Sequence, residues 1–107
     1  WFRKGADGKF VWPGYGDNMR VLKWMLGRLD GSAAGTTNAF GVSPDHADLD
    51  WSGLDFSAEQ FQSVIGIDRA AWQQEMTLHG ELFEQLAYHL PQALRDTKAA
   101  IEARLAG

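Results

Sequence analysis

Apolar residues recur at helical spacing in four stretches of this chain, and between them the period is lost. Val21, Leu22, Met25, Leu26 and Leu29 share one face of a first helix, with Arg20, Lys23 and Arg28 mostly on the other. That helix starts near Asp17 or Asn18, both favourable N-caps, and ends before Gly31. A second helix is marked by a capping box of Ser57 with Gln60, by Phe56 packing on Phe61 as a hydrophobic staple, and by a stop at Gly66. Asp68 caps a third, longer helix that places Trp72, Met76, Phe83, Leu86 and Leu90 on one face, with Gly80 a weak point. Pro91 breaks or restarts the chain, and a last helix carries Ala93, Leu94, Ile101 and Leu105 inward before ending at Gly107.

The remainder lacks a 3.6-residue period. Residues 1–16 read as two short extended pieces around Ala6-Asp7-Gly8-Lys9, which holds the Asp-Gly pair of a tight hairpin; Pro13-Gly14 forces a second turn. Residues 30–56 read as irregular, with residues 31–38 a surface loop by composition and residues 39–42 a candidate short strand. The expected fold is therefore mostly α, with a small β-hairpin or loop element at the N-terminal end.

Composition narrows the class. At 107 residues the chain is one domain or a piece of one, and it opens without Met on Trp1-Phe2, which is read as a cut from a longer polypeptide. A net charge of -4 argues against a general nucleic-acid binder, and no run is apolar enough to span a bilayer. With no cysteine there is neither a disulfide framework nor a thiolate metal site, which fits a reducing, cytoplasmic location.

Candidate chemistry is sparse. Asp48, Asp50, Ser52, Gly53 and Glu59 fit a calcium-loop spacing, but no helix leads in through Pro44, and Asp55 stands where an apolar residue belongs. Glu59 is better explained by the positive end of the second helix. His46, His79 and His89 form no ligand-like cluster, and His79 falls at a core-facing step of the third helix. There is no G-x-S-x-G elbow and no G-x-x-x-x-G-K-(S/T) phosphate loop. Metal ligands and catalytic residues are expected to be absent from this chain.

One segment departs from this plain picture. Trp1, Phe2, Phe10, Trp12 and Tyr15 place five aromatic rings in fifteen positions, among glycines, with Asn18 following at a helix start. Rings on loops can stack on a planar ligand, at about 1–3 kcal/mol per base. An Asn amide offers both donor and acceptor and can address a base edge. The residues alone leave a second reading equally open, a small hydrophobic cluster covering the end of the helices.

The order of these residues matters. W-F-R-K-x-x-x-G-K-F-x-W-P-G-(F/Y)-G-x-N-x-R-V-L-x-W, from Trp1 to Trp24, resembles the GTP-dependent phosphoenolpyruvate carboxykinases. Residues 40–44 look like that family's I-G-x-V-P segment, and residues 51–72 follow its layout more loosely. The resemblance implies a C-terminal portion of a larger α/β enzyme that uses GTP or GDP with Mn²⁺ or Mg²⁺ and works as a monomer. The metal ligands and phosphate loop of that enzyme would lie outside this chain. It further implies that residues 1–18 are guanine-binding loops and 19–107 a helical part. Phe2 and Tyr15 would stack on opposite faces of guanine, Phe10 would close the pocket edge, and Asn18 would hydrogen-bond the base edge. Trp1, Gly14 and Gly16 would support the pocket. Tyr15 stands where the family usually has phenylalanine, which keeps the stacking face and adds a hydroxyl. The rivals are a helical protein-interaction module with an exposed aromatic patch and an aromatic platform for sugars.

Overall fold

A computed structural model describes residues 2–107, so the expectation for Trp1 lies outside the described residues. Four helices carry about half of the chain: α1 (Asn18–Asp30), α2 (Ala58–Ile65), α3 (Arg69–Gln85) and α4 (Gln92–Ala106). A two-stranded antiparallel sheet joins β1 (Thr36–Asn38) to β2 (Gly41–Ser43), with Thr37 opposite Val42. The chain forms two compact units, one running to Gly66 and the other over Ile67–Gly107.

In the first unit, the expected helix ends are found. Gly31 closes α1 in the left-handed conformation at φ 82°, where glycine carries no Cβ penalty. Ser57 and Gln60 form the reciprocal capping box of α2, and Gly66 ends it. The inward face of α1 differs from expectation. Trp24 is buried and Val21 half-buried, whereas Leu22, Met25, Leu26 and Leu29 are exposed. The cause lies elsewhere in the chain. The Trp24 indole donates to the Ala34 carbonyl at 2.7 Å, and its ring lies against Gly35. Arg20 and Lys23 flank Trp24's side of the helix and fasten to the 50–52 loop, Arg20 on the Asp50 and Ser52 carbonyls and Lys23 on the Asp50 carboxylate.

The ordered β element is at 36–43, not at the front. Residues 4–10 make a single antiparallel bridge, Lys4 with Phe10, around the expected turn. Thr36–Asn38, read as surface loop, is instead a strand, held by Asn38 Nδ2 donating to Ser43 Oγ and by Asn38 Oδ1 accepting from the Phe40 amide across the turn.

Residues 44–56 are irregular in backbone but not loosely packed. Trp12, Trp24, Leu49, Phe56 and Phe61 form the core, with Trp51 packed against it. Trp51 stacks on His46 at 5.0 Å and meets Phe61 edge-on at 5.5 Å. The His46 Nε2 donates to the Phe56 carbonyl, and the Trp51 indole donates to the His46 carbonyl. Each polar tip of these aromatic residues thus has a partner, the condition on which such rings can be buried.

The second unit packs α3 against α4 around Met76 and Leu105. Asp68 caps α3 by accepting from the Ala71 amide. α3 continues unbroken through Gly80, which faces the Lys98 side chain. Leu86 and Leu90 fall beyond the end of α3, and Ala93 and Leu94 are exposed on α4. His79 is exposed as well, correcting its expected core-facing position.

Candidate functional site

The aromatic residues of the first eighteen positions divide into two groups. Trp12 is only 8% exposed and belongs to the core. Phe2, Phe10 and Tyr15 are 74%, 56% and 83% exposed, so they are not core rings. These three line one open cavity of about 310 Å³ together with Trp12, Pro13 and Gly14. That volume is at the small end of ligand sites, which run from about 300 to 1,000 Å³. Phe2 and Phe10 meet edge to face, their centroids 5.9 Å apart. The Lys4 ammonium sits 5.5 Å from the Phe10 ring centre, setting one positive charge at the rim. Among the described residues, no charged side chain lines the cavity itself.

Local folding explains this gathering. The Lys4 and Phe10 bridge brings the two ends of the first loop together, and the Val11 amide donates to the Arg3 carbonyl beside it. Arg3 then reaches the C-terminal end of α2, where its guanidinium donates to the Val64 and Gly66 carbonyls at 2.8 and 2.7 Å. Such carbonyls lack helical partners and attract cations. Pro13-Gly14 redirects the chain into a single 3-10 turn, Tyr15–Asp17, that runs directly into α1. Asp17 sits at the N-cap position but does not cap; its carboxylate accepts from Arg20 Nε at 2.9 Å.

Asn18 lies next to this cavity rather than in it. It lines a neighbouring apolar groove of about 530 Å³ with Gly16, Met19, Val21, Leu22 and Val64. Trp12 and Tyr15 border both spaces. The Asn18 amide is already committed on one side, since its Oδ1 accepts from the Trp12 indole at 2.8 Å. Its Nδ2 has no hydrogen-bond partner among the described residues. Phe2, Phe10, Gly14 and Tyr15 are therefore brought together, and Asn18 and Gly16 adjoin them. Sequence reading missed Trp12, Arg3 and Arg20 as the residues that hold this arrangement. The Trp12 position within the aromatic run was the available signal, but nothing local marks a ring as buried.

The acidic residues of the calcium-like spacing are engaged in local structure. Asp48 completes a capping box with Asp45, while Asp50 pairs with Lys23 at 2.7 Å and with Ser52. Hydrogen bonds from Lys23 and Ser52 hold the Asp50 carboxyl well below the usual carboxylate range. No cluster of three His, Asp or Glu side chains among the described residues could hold a metal ion. Among the same residues, no helix is long and apolar enough to cross a membrane.

Comparison with known proteins identifies the family. Residues 1–104 match the phosphoenolpyruvate carboxykinase C-terminal P-loop domain. The chain is 50% identical over 94 residues to the GTP-type phosphoenolpyruvate carboxykinase of Anaeromyxobacter sp. (strain K), covering 88% of this chain and 16% of that protein. It is 39% identical over 108 residues to the enzyme of the same name from Treponema pallidum (strain Nichols), covering 100% of this chain and 18% of that protein. The corresponding figure for Arthrobacter sp. (strain FB24) is 39% over 106 residues, covering 99% and 17%. The chain belongs to the GTP-dependent phosphoenolpyruvate carboxykinase family and spans under one fifth of the length of these relatives.

Proposed function

We propose that this chain supplies the guanine-recognition surface of a GTP-dependent phosphoenolpyruvate carboxykinase. The observation that carries this reading is the cavity shared by Phe2, Phe10 and Tyr15, three large rings exposed together rather than scattered singly. A planar base inserted there would stack on Phe2 and Tyr15, meet Phe10 at its edge, and turn a polar edge toward Asn18. The absence of charge among the described lining residues favours the base over the phosphates.

The whole enzyme would convert oxaloacetate and GTP to phosphoenolpyruvate, CO₂ and GDP in the cytoplasm, using Mn²⁺ or Mg²⁺. The described residues do not form a site for that metal, and the sequence has no phosphate loop. Turnover is therefore assigned to the longer protein, and the 107-residue chain alone has none. Two stacked faces and one amide give about 3–5 kcal/mol gross. That corresponds to millimolar binding, since 1 mM is about −4.1 kcal/mol.

A protein-contact role has separate support in the exposed stripe of Leu22, Met25, Leu26 and Leu29 on α1. In the family reading, this stripe meets the remainder of the longer enzyme.

Ligand-observed saturation-transfer NMR with GDP and ADP tests the base site. Saturation concentrated on the guanine H8, with a weaker signal from adenine, is the expected result. Equal transfer to both nucleotides, or transfer to neither from folded protein, removes the proposal.

A further inference from the structure

Trp12 combines three properties that no other described residue near the cavity shares. It is buried, it borders both the aromatic cavity and the groove, and its one polar atom is spent on Asn18. Its ring is gripped from two sides, by Trp51 at 6.3 Å and 64° and by Phe56 at 6.1 Å and 78°, both edge-on. Rotating the indole away from Asn18 would break that packing.

An indole nitrogen can only donate. The Asn18 atom facing it at 2.8 Å must therefore be the amide oxygen, whichever way the amide group would otherwise turn. With Oδ1 turned to the Trp12 indole, the amide is held in one orientation, and the two N–H groups of Nδ2 are the end turned away from Trp12. An Asn that was free to flip could turn either its donors or its acceptor to a base; this one is held with its donors turned away from Trp12. Guanine presents the O6 acceptor where adenine presents the N6 amino donor.

We propose that Trp12 is the positioning residue that sets base selectivity, by fixing Asn18 as a donor and so favouring a 6-oxo purine over a 6-amino purine. This rests on the guanine reading of the cavity. Adenine would set its amino N–H groups against the Asn18 N–H groups, leaving donors unpaired on both sides.

The experiment compares GDP and ADP dissociation constants, by protein-observed NMR titration, for the wild type, Trp12→Phe and Asn18→Asp. Trp12→Phe removes the N–H together with part of a buried ring, so its melting temperature is read on the same samples. Its GDP preference over ADP is expected to fall about tenfold, which converts to about 1.4 kcal/mol. Asn18→Asp can still accept from Trp12 but turns an oxygen outward, so it is expected to move the preference toward ADP. Its added charge acts on both diphosphates alike and cancels in the ratio. The Trp12 indole N–H resonance should also move in Asn18→Ala, as a direct reading of the hydrogen bond. A wild type that prefers GDP, with variants of lower thermal stability but an unchanged ratio, would make Trp12 structural only and overturn the inference. A wild type with no preference would instead overturn the guanine reading beneath it.

Discussion

The Arg3 guanidinium donates to the Gly66 carbonyl at 2.7 Å, joining residues 63 positions apart and closing the first unit on itself. The same nitrogen reaches the Val64 carbonyl, so the segment carrying Phe2 is fixed by the end of α2. Neighbouring Phe2 projects from an otherwise exposed arm, and this anchor sets where its ring sits.

Replacing Arg3 by Gln should therefore affect the site more than the fold. These bonds are exposed, and the expected stability loss is about 1 kcal/mol or less. GDP affinity should fall by more than that loss accounts for, because Phe2 is no longer held beside Phe10. Thermal melts and GDP titrations on the same samples check it. Unchanged affinity with a lowered Tm would show the anchor to be irrelevant to the cavity.

Gly16 offers a cleaner separation of fold from binding. A Cβ built there meets nothing within 4 Å, and its backbone is not in the left-handed region. Gly16→Ala is expected to leave the melting temperature within a few degrees, corresponding to about 0.5 kcal/mol or less. Lower GDP affinity in that variant would place the nucleotide close to this backbone. Circular dichroism and titration together give the answer.

Gly35 is the opposite case. An added Cβ would lie 2.7 Å from Val42 Cγ1 and 3.1 Å from the Trp24 ring. The strand β2 or the Trp24 indole has to move, and Gly35→Ala should cost about 1–3 kcal/mol by overpacking. A chemical-denaturation midpoint equal to wild type would mean that Trp24 is not held as described.

This contact also shows where sequence reading stops. The ends of α1 and α2 were legible because their signals are local: Gly31 after the last turn, and Ser57 with Gln60 three residues apart. The buried face of α1 was not, because Trp24 turns inward to meet Gly35 and the Ala34 carbonyl, outside its own helix. Periodicity put the leucines inward, where the exposed stripe now lies. Of the core built by Trp12, Trp51, Phe56 and Phe61, only the staple of Phe56 with Phe61 had a local signal; the rest was illegible, since residues 44–56 pack without any repeating period. At the site, the rings Phe2, Phe10 and Tyr15 were legible as a group. The Trp12 hydrogen bond to Asn18 was not, for it depends on which ring is buried.

Acid should expose the clamp between α1 and the 50–52 loop. The Asp50 carboxyl is held low chiefly by its hydrogen bond from Lys23, then by those from Ser52. A depressed folded pKa means the contribution is fully present above the unfolded value, about 3.9, and is lost as pH falls through the folded value. Asp50→Asn should thus be less stable than wild type at neutral pH, with the gap narrowing below about pH 4. Exposure and salt screening keep the gap small. Melting curves from pH 7 to pH 2 read it directly, and a gap that widens in acid would contradict the assignment.

The most direct test of the guanine site is a heteronuclear NMR titration of the 107-residue chain with GDP and, in parallel, ADP, each to several millimolar. Shifts centred on Phe2, Phe10, Tyr15 and Asn18 for GDP, with ADP much weaker, are the predicted result. Shifts of equal size for both nucleotides, or none in a folded sample, would contradict it.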